Sequence, residues 1–403
     1  MTKIELLEII RNRENSGVEF KRDTIDARAL AKEIVAFANL QGGKVLLGVD
    51  DDGSIVGIIR PQLEEWVMNI CRDKIRPELI PYFEVQRNVD ENNDVAILGI
   101  ERGWAVHCVW HNNRRTYYIR VGSESREASP EELQRLFQQR GMVRMEIAPV
   151  AGTTINDLDR RRLIDYFSRV REQETPSIED EQGWRDLLIN TDLSVEEEGR
   201  ISTTVAGLLL FGENPNRFLP QAGIDAVCYI GNTKEYEARE RKSIRGAITP
   251  LYGHDGLLDN GLIEQVLDFV RRNIEVDVEL EDDARRRERW SYPLEAVREA
   301  IVNAVVHRDY LLTATNIELS IYSDRMEIVS PGRLPNGITP VRMIAGCRAA
   351  RNQLLKDIMR DYGYLEHMGM GVPRKIVKGM REHNGTAPEL IENNETFTVR
   401  LWK

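Results

Sequence analysis

The chain has 403 residues, too many for one ordinary core, and its composition of 41% apolar and 30% charged residues is that of a folded globular protein. A formal net charge of -11 excludes a protein that coats nucleic acid by bulk attraction, although local basic patches remain compatible with it. No run reaches the roughly 20 apolar residues of a membrane span, and the acidic start MTKIELLEII is unlike a secretion signal, so a cytoplasmic protein without membrane contact is expected.

Residues 3 to 12 have helical apolar spacing, then Ser16 and Gly17 break the pattern ahead of an extended VEFK segment. A second helix is expected over 26 to 40, ended by Gln41-Gly42-Gly43. The strand KVLLGVD, the turn Asp51-Asp52-Gly53 and IVGI then predict a hairpin. Strand alternation recurs at 94 to 100 and 115 to 121, and Ser129-Pro130 opens the helix EELQRLFQQR. These elements predict an α+β domain over 1–142.

A helix is expected at about 157 to 171, with strands at 206 to 211 and 223 to 230. No catalytic constellation stands out between 143 and 290, which reads as a connecting α/β region. From Tyr292 a long helix, two strands, a glycine-rich loop, two further helices and a closing strand near 396 to 401 predict an α/β sandwich over 291–403. Cys71, Cys108, Cys228 and Cys347 are scattered without pairing motifs, and are expected to be buried.

The blocks ENSGVEFKRD, EIVAFANLQGGKVLLGVDDDGSIVGI and YYIRVGSESREASPEEL, in that order, resemble the Schlafen-AlbA family over about the first 140 residues. The resemblance implies a nucleic-acid domain, and its nuclease members hold divalent metal at positions that correspond to Glu14, Glu19 and Asp51. Three carboxylates make a hard oxygen site suited to Mg²⁺ or Mn²⁺. Glu14 and Glu19 are five apart, so they converge only if the chain bends at Ser16-Gly17. Lys21 shares a strand face with Glu19 and is expected to touch a phosphate or balance the carboxylates. Arg114, Arg115, Tyr118, Arg120 and Arg126 combine guanidinium groups with an aromatic ring, a mixture suited to phosphates and stacked bases.

In PLEAVREAIVNAVVHRDY, Glu299 and Asn303 lie four apart and project from one helix face, with His307 a turn further. With SPGRLPNGIT and HMGMGVPRKIVKGM, this arrangement resembles the GHKL ATPases. The resemblance implies ATP as ligand, Asn303 on its Mg²⁺, Glu299 activating water, His307 adding a phosphate contact, and Gly332, Gly369 and Gly371 in glycine motifs near the phosphates. Where that family reads adenine with an aspartate, Ser330 and Pro331 stand here.

Two functions are expected from these resemblances. One is a metal-dependent endoribonuclease acting on tRNA or other structured RNA, regulated by ATP and serving in phage defence. The other is a regulator or sensor that binds DNA without cutting it. A homo-oligomer is expected by analogy with paired GHKL domains.

Overall fold

The computed structural model describes residues 1–403 except 104, 141–143, 254, 255, 281–285, 336, 337, 348, 366–369 and 394; the side chains of 139, 277–280 and 286–288 are also outside the description. Contacts divide the chain into two compact units, Met1–Val143 and Arg144–Lys403, with mixed α+β structure in each.

The first unit begins with the helix Lys3–Arg11, whose first turn is closed by a Thr2/Glu5 capping box. The strand Val18–Lys21 runs parallel to Gly43–Leu47, which pairs antiparallel with Asn93–Ile100 and through it with Tyr82–Asp90. Between the two parallel strands runs the helix Ala27–Asn39, capped by Asp26 and burying Leu30, Ile34, Val35, Phe37 and Ala38. Gly42 ends it at φ +78°, as expected of a left-handed stop, and passes the chain to Gly43. A Cβ on Gly43 would lie 2.4 Å from the Phe37 ring and 2.8 Å from the Gly17 carbonyl, so the glycine permits helix, strand and turn to meet.

The expected hairpin after this strand is reduced to a tight turn with one antiparallel bridge. Gly48 at φ +98° ends Gly43–Leu47 early, the Val49–Ile55 contact is a single bridge, and the strand's partner is Asn93–Ile100. The segment expected as one strand over 115 to 121 is likewise two, Arg114–Thr116 and Tyr118–Val121, in different sheets.

In the second unit a six-stranded sheet runs in the order Ala238–Ile244, Ile224–Tyr229, Ile317–Ile321, Arg325–Pro331, Thr396–Trp402, Glu389–Glu392. Ile224–Tyr229 is parallel to Ile317–Ile321. The expected boundary at 290 therefore separates no two cores: one apolar cluster runs from Leu158 through Phe211 and Phe269 to Ile301, Ile328 and Leu401. A parallel pair needs a long crossover, so the region read as a connector supplies sheet and core to the C-terminal part.

Two local expectations fail for identifiable reasons. VAGLLLF is a helix, Val205–Phe211, rather than a strand; all seven residues are buried, so no periodicity marks its type, and Thr204 caps it by accepting from the Gly207 amide. The helix expected over 157 to 171 is a short α-helix, Arg160–Ile164, followed by a π-type segment, Asp165–Val170. Cys347 is exposed, unlike the other three cysteines.

Shared core predicts shared folding. A fragment 144–403 is expected to show a cooperative thermal transition by circular dichroism, whereas 291–403 alone, lacking Ile224–Tyr229 and the helix Leu262–Asn273, is expected to show none.

Candidate functional site

Glu14, Glu19 and Asp51 come together, and at their centre is the ammonium of Lys21. Its Nζ lies 2.7 Å from Glu19 Oε1, 3.2 Å from Asp51 Oδ1 and 3.7 Å from Glu14 Oε1. The bend does what its sequence requires. Asn15 and Val18 bond each other's backbone at 3.1 and 3.4 Å, the Asn15 side chain accepts from the Gly17 amide, and Glu14 turns back to accept from the Phe20 amide at 2.7 Å. Asp51 arrives from the turn after Gly43–Leu47, closed by the Gly53 amide donating to Asp50 O. Its neighbours are used otherwise: Asp50 pairs with Arg22, and Asp52 accepts from the Ser54 amide.

Electrostatics follow from that geometry. Burial, then the charges of Glu19 and Asp51, hold the Glu14 carboxyl above its ordinary range despite the Phe20 hydrogen bond and Lys21. Burial opposes the Lys21 charge, but the bonds and charges of Glu19, Asp51 and Glu14 outweigh it and hold the ammonium above its usual value. Among the described residues no cluster of acids, histidines and cysteines is arranged as a ready metal site. Each of the three carboxylates brings one oxygen within 3.7 Å of the Lys21 ammonium, which occupies the centre.

The expected nucleic-acid residues differ in exposure and in partners. Arg120 is a correction: its side chain is only 2% exposed and pairs with Glu19 at 2.6 Å, so it cannot grip a phosphate in this arrangement. Arg126 is held by Glu132 through two bonds of 2.6 and 2.9 Å. Tyr118 packs partly buried against the core, while Arg114 and Arg115 stay exposed on the Cys108–His111/Arg114–Thr116 hairpin.

In the second unit the helix Leu294–His307 lines a cleft together with Ile328, Ser330, Leu334, Ile338 and Phe397. Glu299 and Asn303 are joined as their spacing predicts, Asn303 Nδ2 donating to Glu299 Oε1 at 3.1 Å. Lys375 Nζ lies 3.7 Å from Glu299 Oε2. Gly371 packs on the same carboxylate so closely that a Cβ there would stand 1.8 Å from Oε1, which explains the residue type. Gly369 lies outside the described residues.

The surroundings of Gly332 and His307 differ in kind. Gly332, at φ +108°, donates its amide to Glu395 O at 2.7 Å instead of offering it to a phosphate. A Cβ on it would also collide with Arg351 and Asp309, which pair beneath it at 3.5 Å. His307 lines the cleft, and burial, then the charges of Arg351 and Lys356, push its pKa down to about 4, so near neutral pH its imidazole is uncharged. Sequence reasoning missed Asp309, Arg351 and Asn352, buried polar residues that tie the helix end to the following segments; Asn352 donates to Val306 O and Arg308 O at 2.8 and 2.9 Å.

Fold and sites thus define a two-unit α+β protein with a carboxylate cluster in one unit and a cleft under a Glu/Asn helix in the other. Comparison with known proteins agrees: residues 14–129 match the family described as Schlafen, AlbA_2, and residues 314–401 match that described as Putative ATP-dependent DNA helicase recG C-terminal. The chain is a fusion of a Schlafen-AlbA segment with an ATPase-like C-terminal segment. Among solved structures it is similar to the DIP2311 protein from Corynebacterium diphtheriae, with 20% identity, 96% of this chain and 75% of that chain covered, and a TM-score of 0.47. No curated protein matches it. No helix among the described residues is long and apolar enough to cross a membrane.

A pH prediction follows from His307. Its pKa is lowered on folding, so the stability it contributes is present above the unfolded value near 6.5 and is lost as pH falls toward 4, by about 1 to 3 kcal/mol. The His307 imidazole is therefore expected to titrate well below pH 6 by NMR, and His307→Gln to flatten the fall in melting temperature between pH 6.5 and 4.

Proposed function

We propose that the chain acts on nucleic acid, with Glu14, Glu19 and Asp51 holding Mg²⁺ or Mn²⁺ for cleavage of RNA, and that the cleft beside Glu299 and Asn303 binds ATP and regulates that cleavage. The observation that carries the proposal is the convergence of three carboxylates on one cation position, now filled by Lys21. Such a cation supplies a Lewis acid for a phosphate oxygen and lowers the pKa of a bound water. Lys21, displaced from the centre, would be the cation beside the phosphate. Arg114 and Arg115 are the exposed cations offered to the sugar-phosphate chain.

Support for the nucleotide comes from the cleft. Its wall is mostly apolar, which suits a planar base, and the amide and carboxylate of Asn303 and Glu299 sit side by side on one helix face. The matched family's description names an ATP-dependent DNA helicase, in keeping with a nucleotide site on a nucleic-acid protein. Structured RNA such as tRNA is the favoured substrate, phage defence the proposed setting, and a homo-oligomer the proposed assembly.

A second reading is favoured by Lys21 itself: an ammonium already neutralising the cluster suits a domain that binds DNA as a regulator or sensor without cutting it. Cleavage assays separate the two. Wild type with Mg²⁺ or Mn²⁺ is expected to cut RNA, and Glu19→Gln to lose about 100-fold or more of that rate while keeping its melting temperature. If wild type binds nucleic acid yet leaves RNA and single- and double-stranded DNA intact, the binding reading replaces the nuclease. For the cleft, calorimetry is expected to show ATP binding that Asn303→Ala weakens about tenfold; no heat from wild type would remove the nucleotide from the proposal.

A further inference from the structure

Arg120 stands 101 positions beyond Glu19, yet its guanidinium touches both sides of the turn that separates Glu14 from Glu19. Nη2 lies 2.6 Å from Glu19 Oε2 and donates to the carbonyls of Asn15 at 2.8 Å and Val18 at 3.1 Å. Those two carbonyls flank Ser16-Gly17. Nη1 lies 3.4 Å from both Glu33 Oε2 and Ser125 Oγ, and Ser125 donates to the same Glu33 oxygen at 2.5 Å. The guanidinium plane also rests 4.5 Å from the centre of the Phe37 ring. Glu33 and Phe37 belong to the helix Ala27–Asn39, so the group is anchored to a rigid element.

We propose that Arg120 is the positioning residue of the carboxylate cluster, closing the turn that sets Glu14 beside Glu19, and that Glu33 in turn holds Arg120 in place. Only a planar fork of several donors can reach a carboxylate and two carbonyls at once while pairing with a second carboxylate behind it; a lysine ammonium is a point charge with fewer directed bonds. The buried arginine also faces the inner oxygen of Glu19, while Lys21 pairs with the outer one. The cluster's shape is thereby governed from the helix and from the Tyr118–Val121 strand, neither of which supplies a carboxylate to it. The geometry stands by itself, while its functional weight rests on the cation-binding reading above.

The amide of Phe20 reports the outcome, because it donates to Glu14 Oε1 and so senses whether the turn is closed. Amide hydrogen exchange of the full-length chain, resolved by NMR, is compared for wild type, Arg120→Lys and Glu33→Gln, with Val45 and Leu46 of the neighbouring strand as internal references. Arg120→Lys is expected to speed exchange at Phe20 about tenfold or more with Val45 and Leu46 unchanged, and Glu33→Gln to act in the same direction to a smaller extent. Phe20 unchanged, or Phe20, Val45 and Leu46 accelerated together as in a general loss of stability, would overturn the proposal. Should Arg120→Lys fail to fold, Glu33→Gln decides alone by the same criterion. Mn²⁺ titration of the wild type is a separate arm: no binding there overturns the cation reading, while the Phe20 comparison still decides the role of Arg120.

Discussion

Three carboxylates cannot share a few ångströms unless something positive lies among them, and in this chain that requirement shapes the surrounding fold. Unit charges 3 to 4 Å apart interact by about 4 kcal/mol or more at an effective dielectric near 20, enough to drive a neighbouring group to its neutral form or to demand a cation. Lys21 meets the demand from within, at the end of the strand that carries Glu19. Gly43 makes room for the bend against the Phe37 ring, and the Asp50–Gly53 turn brings the third acid across from the adjoining strand. The same balance that stabilises the resting cluster leaves it with three oxygen donors arranged around one point.

The second unit builds its cleft by different means. Steric exclusion at Gly371 brings a helix start against Glu299, and four-residue spacing places Asn303 on the same carboxylate. Beneath the cleft, the buried Asp309–Arg351 pair and Asn352 secure the end of the Leu294–His307 helix by polar bonds that apolar packing alone would not direct. Six strands drawn from both sides of residue 290 support this arrangement, so the cleft depends on segments far from it in sequence.

What could be read in advance depended on the range of the interaction. Local signals were reliable: Ser16-Gly17 announced the bend, Gly42 the helix stop, Ser129-Pro130 a helix start now seen as a Ser129/Glu132 capping box, and the Glu299–Asn303 spacing a shared helix face. Burial and long-range pairing were not legible. Arg120 looked like a phosphate ligand because an arginine beside tyrosines gives no sign that its partner lies about a hundred residues earlier. Arg126 was likewise claimed by Glu132, and the low pKa of His307 comes from surroundings that only the folded cleft creates. VAGLLLF illustrates a different limit, since a run buried on every side has no period to betray helix or strand. The middle region looked separate because a parallel crossover hides the pairing of Ile224–Tyr229 with Ile317–Ile321. Among Asp50, Asp51 and Asp52, chemistry alone could not choose; geometry assigns the first to Arg22, the last to Ser54 and the middle one to the cluster.

The most direct test is to grow crystals, soak them in Mn²⁺ and record anomalous scattering near the manganese edge. The account predicts a peak among Glu14, Glu19 and Asp51 with the Lys21 side chain swung away from the centre. Strong manganese peaks elsewhere, with Lys21 still seated among the three carboxylates, would contradict it.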